Sequence, residues 1–233
     1  MILRTVMLFI AVAVAGYAQS SFEAVRKRPL RPDARGTLVI GDDGVEFRRG
    51  DDGESKSWSY EEIQGFDRIS RTEIGMLTYE DAAWRLGQDR SYRFTLLSGE
   101  LNDQLFELMT NKIGRPVIDR IVEEGPDGVP RLAVKHLKPF GGSEGELIFG
   151  ESAIYYVTDA PKQAREWRLD RSVESVWAAN RYQLELHVFE AGRRDFDNTR
   201  VYRFQLKEPL DPDLYRNLKL RLYDLRAEDR VIP

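Results

Sequence analysis

The chain has no cysteine and only two histidines among its 233 residues. The missing cysteine excludes disulfides, thiol nucleophiles, thiolate metal sites and a lipid-bearing N-terminal cysteine, so the fold must rest on its hydrophobic core. With His136 and His187 as the whole histidine supply, any Ser-His-Asp relay must use one of them, yet no serine stands in a Gly-x-Ser-x-Gly elbow. Strand or surface placement accounts for both without chemistry. There is no Asn-x-Ser/Thr acceptor, so nothing suggests glycosylation; there is no glycine-rich phosphate loop ahead of a helix and no aromatic series with interleaved basic residues, which excludes recognisable nucleotide or nucleic-acid sites. An excess of either charge is missing too. Lys and Arg number 35 against 39 Asp and Glu, a net charge of -4, and broad attraction to nucleic acid or anionic lipid is not expected. No apolar run reaches the roughly 20 residues a membrane helix needs.

What is present begins at the N-terminus. Arg4 supplies a positive start, Val6 to Ala15 is unbroken apolar sequence, and Gly16-Tyr17-Ala18 puts small residues where a signal peptidase reads. Residues 1–18 therefore read as a secretory signal cleaved after Ala18, with an uncleaved anchor as the alternative; the mature protein is expected to be secreted or periplasmic. Residues 19–35 follow as a basic leader, with Arg26, Lys27, Arg28, Arg31 and Arg35 around Pro29 and Pro32. Such a segment reads as a solvated arm, or as one that docks on the acidic first unit or touches a membrane.

The body of the chain is said twice. Gly36-Thr37-Leu38-Val39-Ile40-Gly41 returns as Gly145-Glu146-Leu147-Ile148-Phe149-Gly150, and Tyr92-Arg93-Phe94 returns as Tyr202-Arg203-Phe204. Gly36 to Gly145 and Trp58 to Trp167 both differ by 109, Ile74 to Leu184 and Phe94 to Phe204 by 110, and Leu105 to Leu214 by 109 again. A period that long exceeds solenoid repeats and fits a duplicated domain. Its limits are expected at 36–114 and 145–233, with 115–144 as a partly structured linker in which Leu132 and Val134 start a short extra strand.

Within each unit short alternating strands precede one helical stripe. Leu38 and Ile40, the turn Gly41-Asp42-Asp43-Gly44, then Val45 and Phe47 predict a hairpin. Trp58 and Tyr60, Phe66 to Ile69, Ile74 to Thr78, and Tyr92 to Leu96 continue the period of two. Leu101, Leu105, Leu108, Met109 and Ile113 then form one apolar stripe ended by Gly114, and Leu214, Leu218, Leu222 and Leu225 repeat it behind Asp211-Pro212. The expected class is mainly β (α+β).

Meandering strands closed by one C-terminal amphipathic helix resemble the pleckstrin-homology-like (PH-like) superfold, a bent sheet or barrel plugged by its helix. The resemblance covers about residues 36–114 and 145–225. The second unit also resembles an uncharacterised family of exported bacterial proteins, through Lys135-His136-Leu137, Glu144-Gly145-Glu146-Leu147, Trp167-Arg168 and Phe204-Gln205-Leu206-Lys207-Glu208-Pro209-Leu210. That family brings no activity with it. A lipocalin-like barrel is the rival fold.

The PH-like resemblance implies phosphoinositide binding, but the hairpin loops read Gly41-Asp42-Asp43-Gly44 and Gly150-Glu151-Ser152-Ala153, and their acids repel phosphate. Asp42-Asp43, Asp51-Asp52 and Glu61-Glu62 lack calcium-loop spacing, and the first two are explained as turns. No cofactor, metal or catalytic residue is expected. Residues present in one copy only carry the functional information, because shared residues are explained by a shared fold. These are Trp84 with Arg85, Tyr155, which stands where the first copy has Glu46, and Phe196 with Arg193 and Arg194. Each reads as a partner contact or as packing between the units. The expected function is an exported, non-enzymatic protein that binds a protein or peptide, with a carrier of a small apolar ligand or lipid as the alternative and a hydrolase as a distant third.

Overall fold

Two runs of seven strands, each followed by one helix, make up the computed structural model, which describes residues 19–29, 31–50, 55–82, 87–190 and 199–229. The first run is β1 (Ser20–Lys27), β2 (Ala34–Ile40), β3 (Gly44–Arg49), β4 (Lys56–Ser59), β5 (Ile63–Ser70), β6 (Glu73–Asp81) and β7 (Asp89–Leu96), followed by α1 (Asp103–Ile113). A short β8 (Val117–Asp119) leads into β9 (Arg131–Leu137), β10 (Gly142–Phe149), β11 (Ala153–Val157), β12 (Arg165–Arg168), β13 (Val173–Asn180), β14 (Gln183–Phe189) and β15 (Thr199–Leu206), and α2 (Pro212–Asp229) ends the second run. Hydrogen bonding orders the first as β5-β6-β7-β1-β2-β3-β4 and the second as β13-β14-β15-β9-β10-β11-β12. It is one permutation used twice in a mainly β protein.

The basic leader is not a solvated arm. Its residues 20–27 are β1, which pairs antiparallel with β2 and, from Ala24 to Lys27, with β7. Phe22 and Ala24 point into the core, and it is this alternation, not the charge of the neighbouring Arg26 and Lys27, that places the segment. The linker changes in the same way: 115–144 holds β8, β9 and the start of β10, because Leu132, Val134 and His136 all face inward. The unit limits drawn at 36 and 145 thus fall one strand late in both halves.

Each run folds over on itself. Trp58 of β4, at one end of the strand order, lies 4.6 Å from Tyr92 of β7 with the rings tilted, and Trp167 lies 4.7 Å from Tyr202 in the second run. Two separate cores result, one centred on Phe47, Trp58, Tyr92 and Phe94, the other on Tyr156, Trp167, Tyr202 and Phe204. The matched glycines follow from this packing. A Cβ on Gly36 would sit 2.2 Å from the Arg48 carbonyl and 2.9 Å from the Phe47 ring, and one on Gly145 would sit 2.1 Å from the Val157 carbonyl and 2.9 Å from Tyr156.

The helix α1 begins where the Asn102 side chain accepts from the Leu105 amide at 2.8 Å, and ends at left-handed Gly114. It buries Phe106, Met109, Thr110 and Ile113. Leu105 and Leu214, expected as central stripe residues, are only half-buried at the margins of their cores. β8 joins the units: it runs parallel to β5 and touches β12 at Glu166 opposite Asp119. Val117 enters the first core and Ile118 the second.

Candidate functional site

A polar cluster recurs in both units, on residues that share the 109 and 110 offsets. In the first, the Glu80 carboxylate accepts from Lys56 Nζ at 2.6 Å, Trp58 Nε1 at 2.7 Å, Tyr92 Oη at 2.9 Å and Arg90 at 3.3 Å. Although partial burial opposes its charge, these donors hold its pKa at about 2. In the second, Glu190 accepts from Tyr202 Oη at 2.5 Å and Arg200 at 3.1 Å, with Arg165 at 3.5 Å. The second carboxylate is almost wholly buried and also faces Arg120 at 3.6 Å, which is itself bound to Asp67 of β5. His136 lies against Tyr156, Tyr202 and Phe204, and burial lowers its pKa to about 4. Among the described residues no acceptor or donor meets His136 Nδ1 or Trp167 Nε1. A neutral ring packed in aromatics acts as core, and the cluster it adjoins ties strands together.

The seam between the units is polar as well. Arg68 is paired with Asp119 in a buried two-point contact and reaches Asp103 at 2.6 Å, Lys162 meets Glu73 at 2.6 Å, and Arg171 donates to the Thr110 carbonyl at 3.1 Å. Burial, with Asp119 opposite, raises Glu166 to about 7. The ion pairs orient the units and leave little charge available there for a partner.

The two flanks of α2 are where the copies diverge. On one flank Tyr60 of the first unit lies under α1 and donates to the Gly41 carbonyl at 2.7 Å. Leu169 takes that position in the second, and a groove of about 400 Å³ opens between α2 and the β10–β11 hairpin, lined by Phe149, Gly150, Leu169, Leu214 and Leu218 and rimmed by Asn217, Arg221 and Asp224. On the other flank lies the edge of β13. In the first unit the equivalent edge of β5 is covered by β8, which takes the Phe66 amide through the Pro116 carbonyl and offers the Arg120 amide to the Arg68 carbonyl. On β13 the Tyr215 hydroxyl takes the Ala178 amide at 3.3 Å and donates to the Val176 carbonyl at 3.4 Å. Tyr215 replaces Phe106, and Trp177, 62 % exposed, replaces Asp67.

Of the residues singled out from the sequence, Trp84, Arg85, Arg193, Arg194 and Phe196 lie outside the described residues. Tyr155 is half-buried on β11 opposite Ile148 and Glu166, and its ring comes within 3.0 Å of where a Cβ on Gly150 would stand. Burial and Glu166 raise its pKa, so it packs behind the hairpin whose other side forms the groove. The one-copy rule that selected Tyr155 also points to Leu169 against Tyr60, Tyr215 against Phe106 and Trp177 against Asp67. Trp177 for Asp67 is a strand ring in place of an acid, the same signal as Tyr155 for Glu46, whereas Leu169 for Tyr60 and Tyr215 for Phe106 exchange one apolar or aromatic residue for another and carry no such signal. Among the described residues no group of three or more His, Asp or Glu is arranged to hold a metal, and no helix is long and apolar enough to cross a membrane.

Neither the known family models nor the curated proteins contain a match to this chain. Among solved structures, one chain from the "Structure of the Spt16D Pob3N heterodimer" is similar over 82 % of this chain and 98 % of its own, at 14 % identity and a TM-score of 0.34. A likeness that slight fixes neither fold nor partner, and the strand order above stands on its own pairing.

Proposed function

We propose that the chain is an exported, non-enzymatic interaction protein, built from two PH-like units, that holds a protein or peptide partner on its outer surface. The PH-like assignment is supported by the seven-strand order repeated in both halves and the helix that follows each. One observation carries the binding reading. Both interiors are filled by packed rings, Trp58 with Tyr92 and Phe94, Trp167 with Tyr202 and Phe204, while the groove of about 400 Å³ and the exposed ring of Trp177 lie outside. A carrier of a small apolar ligand needs the reverse, a lined cavity within the sheet. Apolar surface beside a charged rim is the composition of protein interfaces. Phosphoinositide recognition gains no support, since Lys112 beside the first hairpin is engaged with Asp42.

The test is capture by the mature protein from the cell envelope it is exported to, with proteins and lipids both identified by mass. A saturable protein partner supports the reading, and a stoichiometric lipid with no protein rejects it. Intact mass of the exported product tests the secretory signal: a chain beginning at Gln19 is expected, and one that keeps Met1 and stays membrane-bound rejects export.

A further inference from the structure

We propose that the groove between α2 and the β10–β11 hairpin receives the phenol ring of a tyrosine on an extended segment of a protein partner, with the hydroxyl donating to the Gly150 carbonyl. The proposal rests on the interaction reading and names what the partner presents.

The molecule carries its own template for this site. In the first unit the space between helix and hairpin is occupied by the Tyr60 side chain, whose hydroxyl closes on Gly41 at 2.7 Å. The second unit keeps the surrounding frame: Gly150 stands for Gly41 with the same turn bond, its amide to the Ala153 carbonyl at 3.0 Å as Gly41 bonds Gly44 at 3.0 Å. Leu214 and Leu218 replace Leu105 and Met109. The occupant is lost, since Leu169 has neither the length nor the hydroxyl of Tyr60, and the helix side of the slot becomes more polar where Asn217 stands for Leu108. What remains is a slot with apolar Leu169, Leu214 and Leu218 beside polar Asn217, Arg221 and Asp224, and a backbone carbonyl at the place where a phenol donates in the sister unit.

Charge selects among aromatic occupants. The rim holds Arg221 at 3.9 Å from Glu151, with Asp224 one helical turn on. One cation between two carboxylates leaves the mouth with no net attraction for an anion, so a neutral phenol is favoured over a phosphorylated or sulfated one. Size selects the source. At about 400 Å³ the groove is larger than one phenol ring, and its open form admits backbone on either side of the tyrosine.

The experiment is an amide-resolved NMR titration of the mature protein with acetyl-Gly-Tyr-Gly-amide. The expected result is saturable shifts at Gly150, Leu169 and Asn217 with a dissociation constant of about 1 mM, weakened about three- to tenfold for acetyl-Gly-Phe-Gly-amide because one hydrogen bond is lost. Leu169→Tyr, which supplies the ring in place, should abolish the shifts while holding or raising the thermal midpoint; Leu169→Phe serves as a second filled variant if the tyrosine distorts the turn. Absence of saturable shifts at these amides up to about 10 mM peptide, or equal binding by the wild type and both filled variants, overturns the proposal. Envelope capture separates the two levels. If Leu169→Tyr still captures the wild type's protein partner, the groove assignment fails and the interaction reading stands.

Discussion

Replacing Glu190 by glutamine should cost far more than the same change at its sister residue Glu80, although the two carboxylates hold equivalent positions and similar donors. The Glu190 side chain is 5 % exposed and its neighbour Arg165 is also 5 % exposed. Taking the negative charge away leaves the Arg165 guanidinium buried without its counterion, a situation that costs about 3 to 5 kcal/mol. The Glu80 side chain is 32 % exposed, and its cations Lys56 and Arg90 are 30 % and 40 % exposed, so water takes over when the charge goes. There the loss should be about 1 kcal/mol, set mainly by weakened hydrogen bonds from Trp58 and Tyr92. Urea unfolding followed by tryptophan fluorescence reads both, with Trp58 in one core and Trp167 in the other, and a two-step curve is to be fitted as such. Because Glu190 also faces Arg120, which is bound to Asp67 across the seam, a double-mutant cycle with Arg120→Gln should show coupling of about 1 kcal/mol or more. Equal losses at Glu80 and Glu190 would refute the argument from burial, and zero coupling would detach Glu190 from the seam.

Met109→Ala should cost about 2 to 5 kcal/mol, because its side chain is wholly buried under the first sheet; half-buried Leu105→Ala should cost clearly less, and the reverse order in denaturant unfolding would mean that α1 is rotated. The folded protein holds Glu166 at about 7 against an ordinary 4.5, so folding favours the protonated acid: its contribution is full below pH 4.5 and is lost as pH rises through 7. Glu166→Gln should therefore flatten the fall in thermal midpoint between pH 4.5 and pH 7, and an unchanged profile would contradict the opposition of Glu166 and Asp119 across β12 and β8. Tyr215→Phe removes the hydroxyl that occupies the outward Ala178 amide and Val176 carbonyl of β13. An uncovered edge pairs with other strands, so concentration-dependent self-association by sedimentation is expected, and a strictly monomeric variant would show that this hydroxyl does not guard the edge.

The sequence made the repeat, the hairpins and the two helices legible because glycine turns and period-two alternation are local signals that survive duplication. β1 and β9 were harder. In β1 the inward residues Phe22 and Ala24 are few, and the charges of Arg26 and Lys27 dominate any composition count, although Arg26 lies on that same face over the Tyr92 ring; in β9 Leu132 and Val134 signal the strand but not its pairing with β10 and β15. The helix stripe holds at Leu101, Met109 and Ile113 and differs only where Phe106 is buried in place of Leu105, since the sequence cannot say which of those two points at β5 until the helix is docked. The duplicated glutamates were within reach of the sequence: Lys56, Glu80 and Arg90 return as Arg165, Glu190 and Arg200 at the established offsets. They look like scattered surface charge until Trp58 and Tyr92 are seen to converge on one of them. The groove needed the structure, because Leu169 for Tyr60 is an unremarkable apolar exchange whose consequence depends on α2 lying across the gap.

If the second unit holds a partner outside its filled core and along α2, hydrogen–deuterium exchange on the mature protein with and without its captured partner should show slowed exchange in residues 149–153 and 214–224 with the first unit unchanged. Protection confined to the first unit, or spread over the strands around Trp167 and Tyr202 with a lipid bound, would contradict that placement.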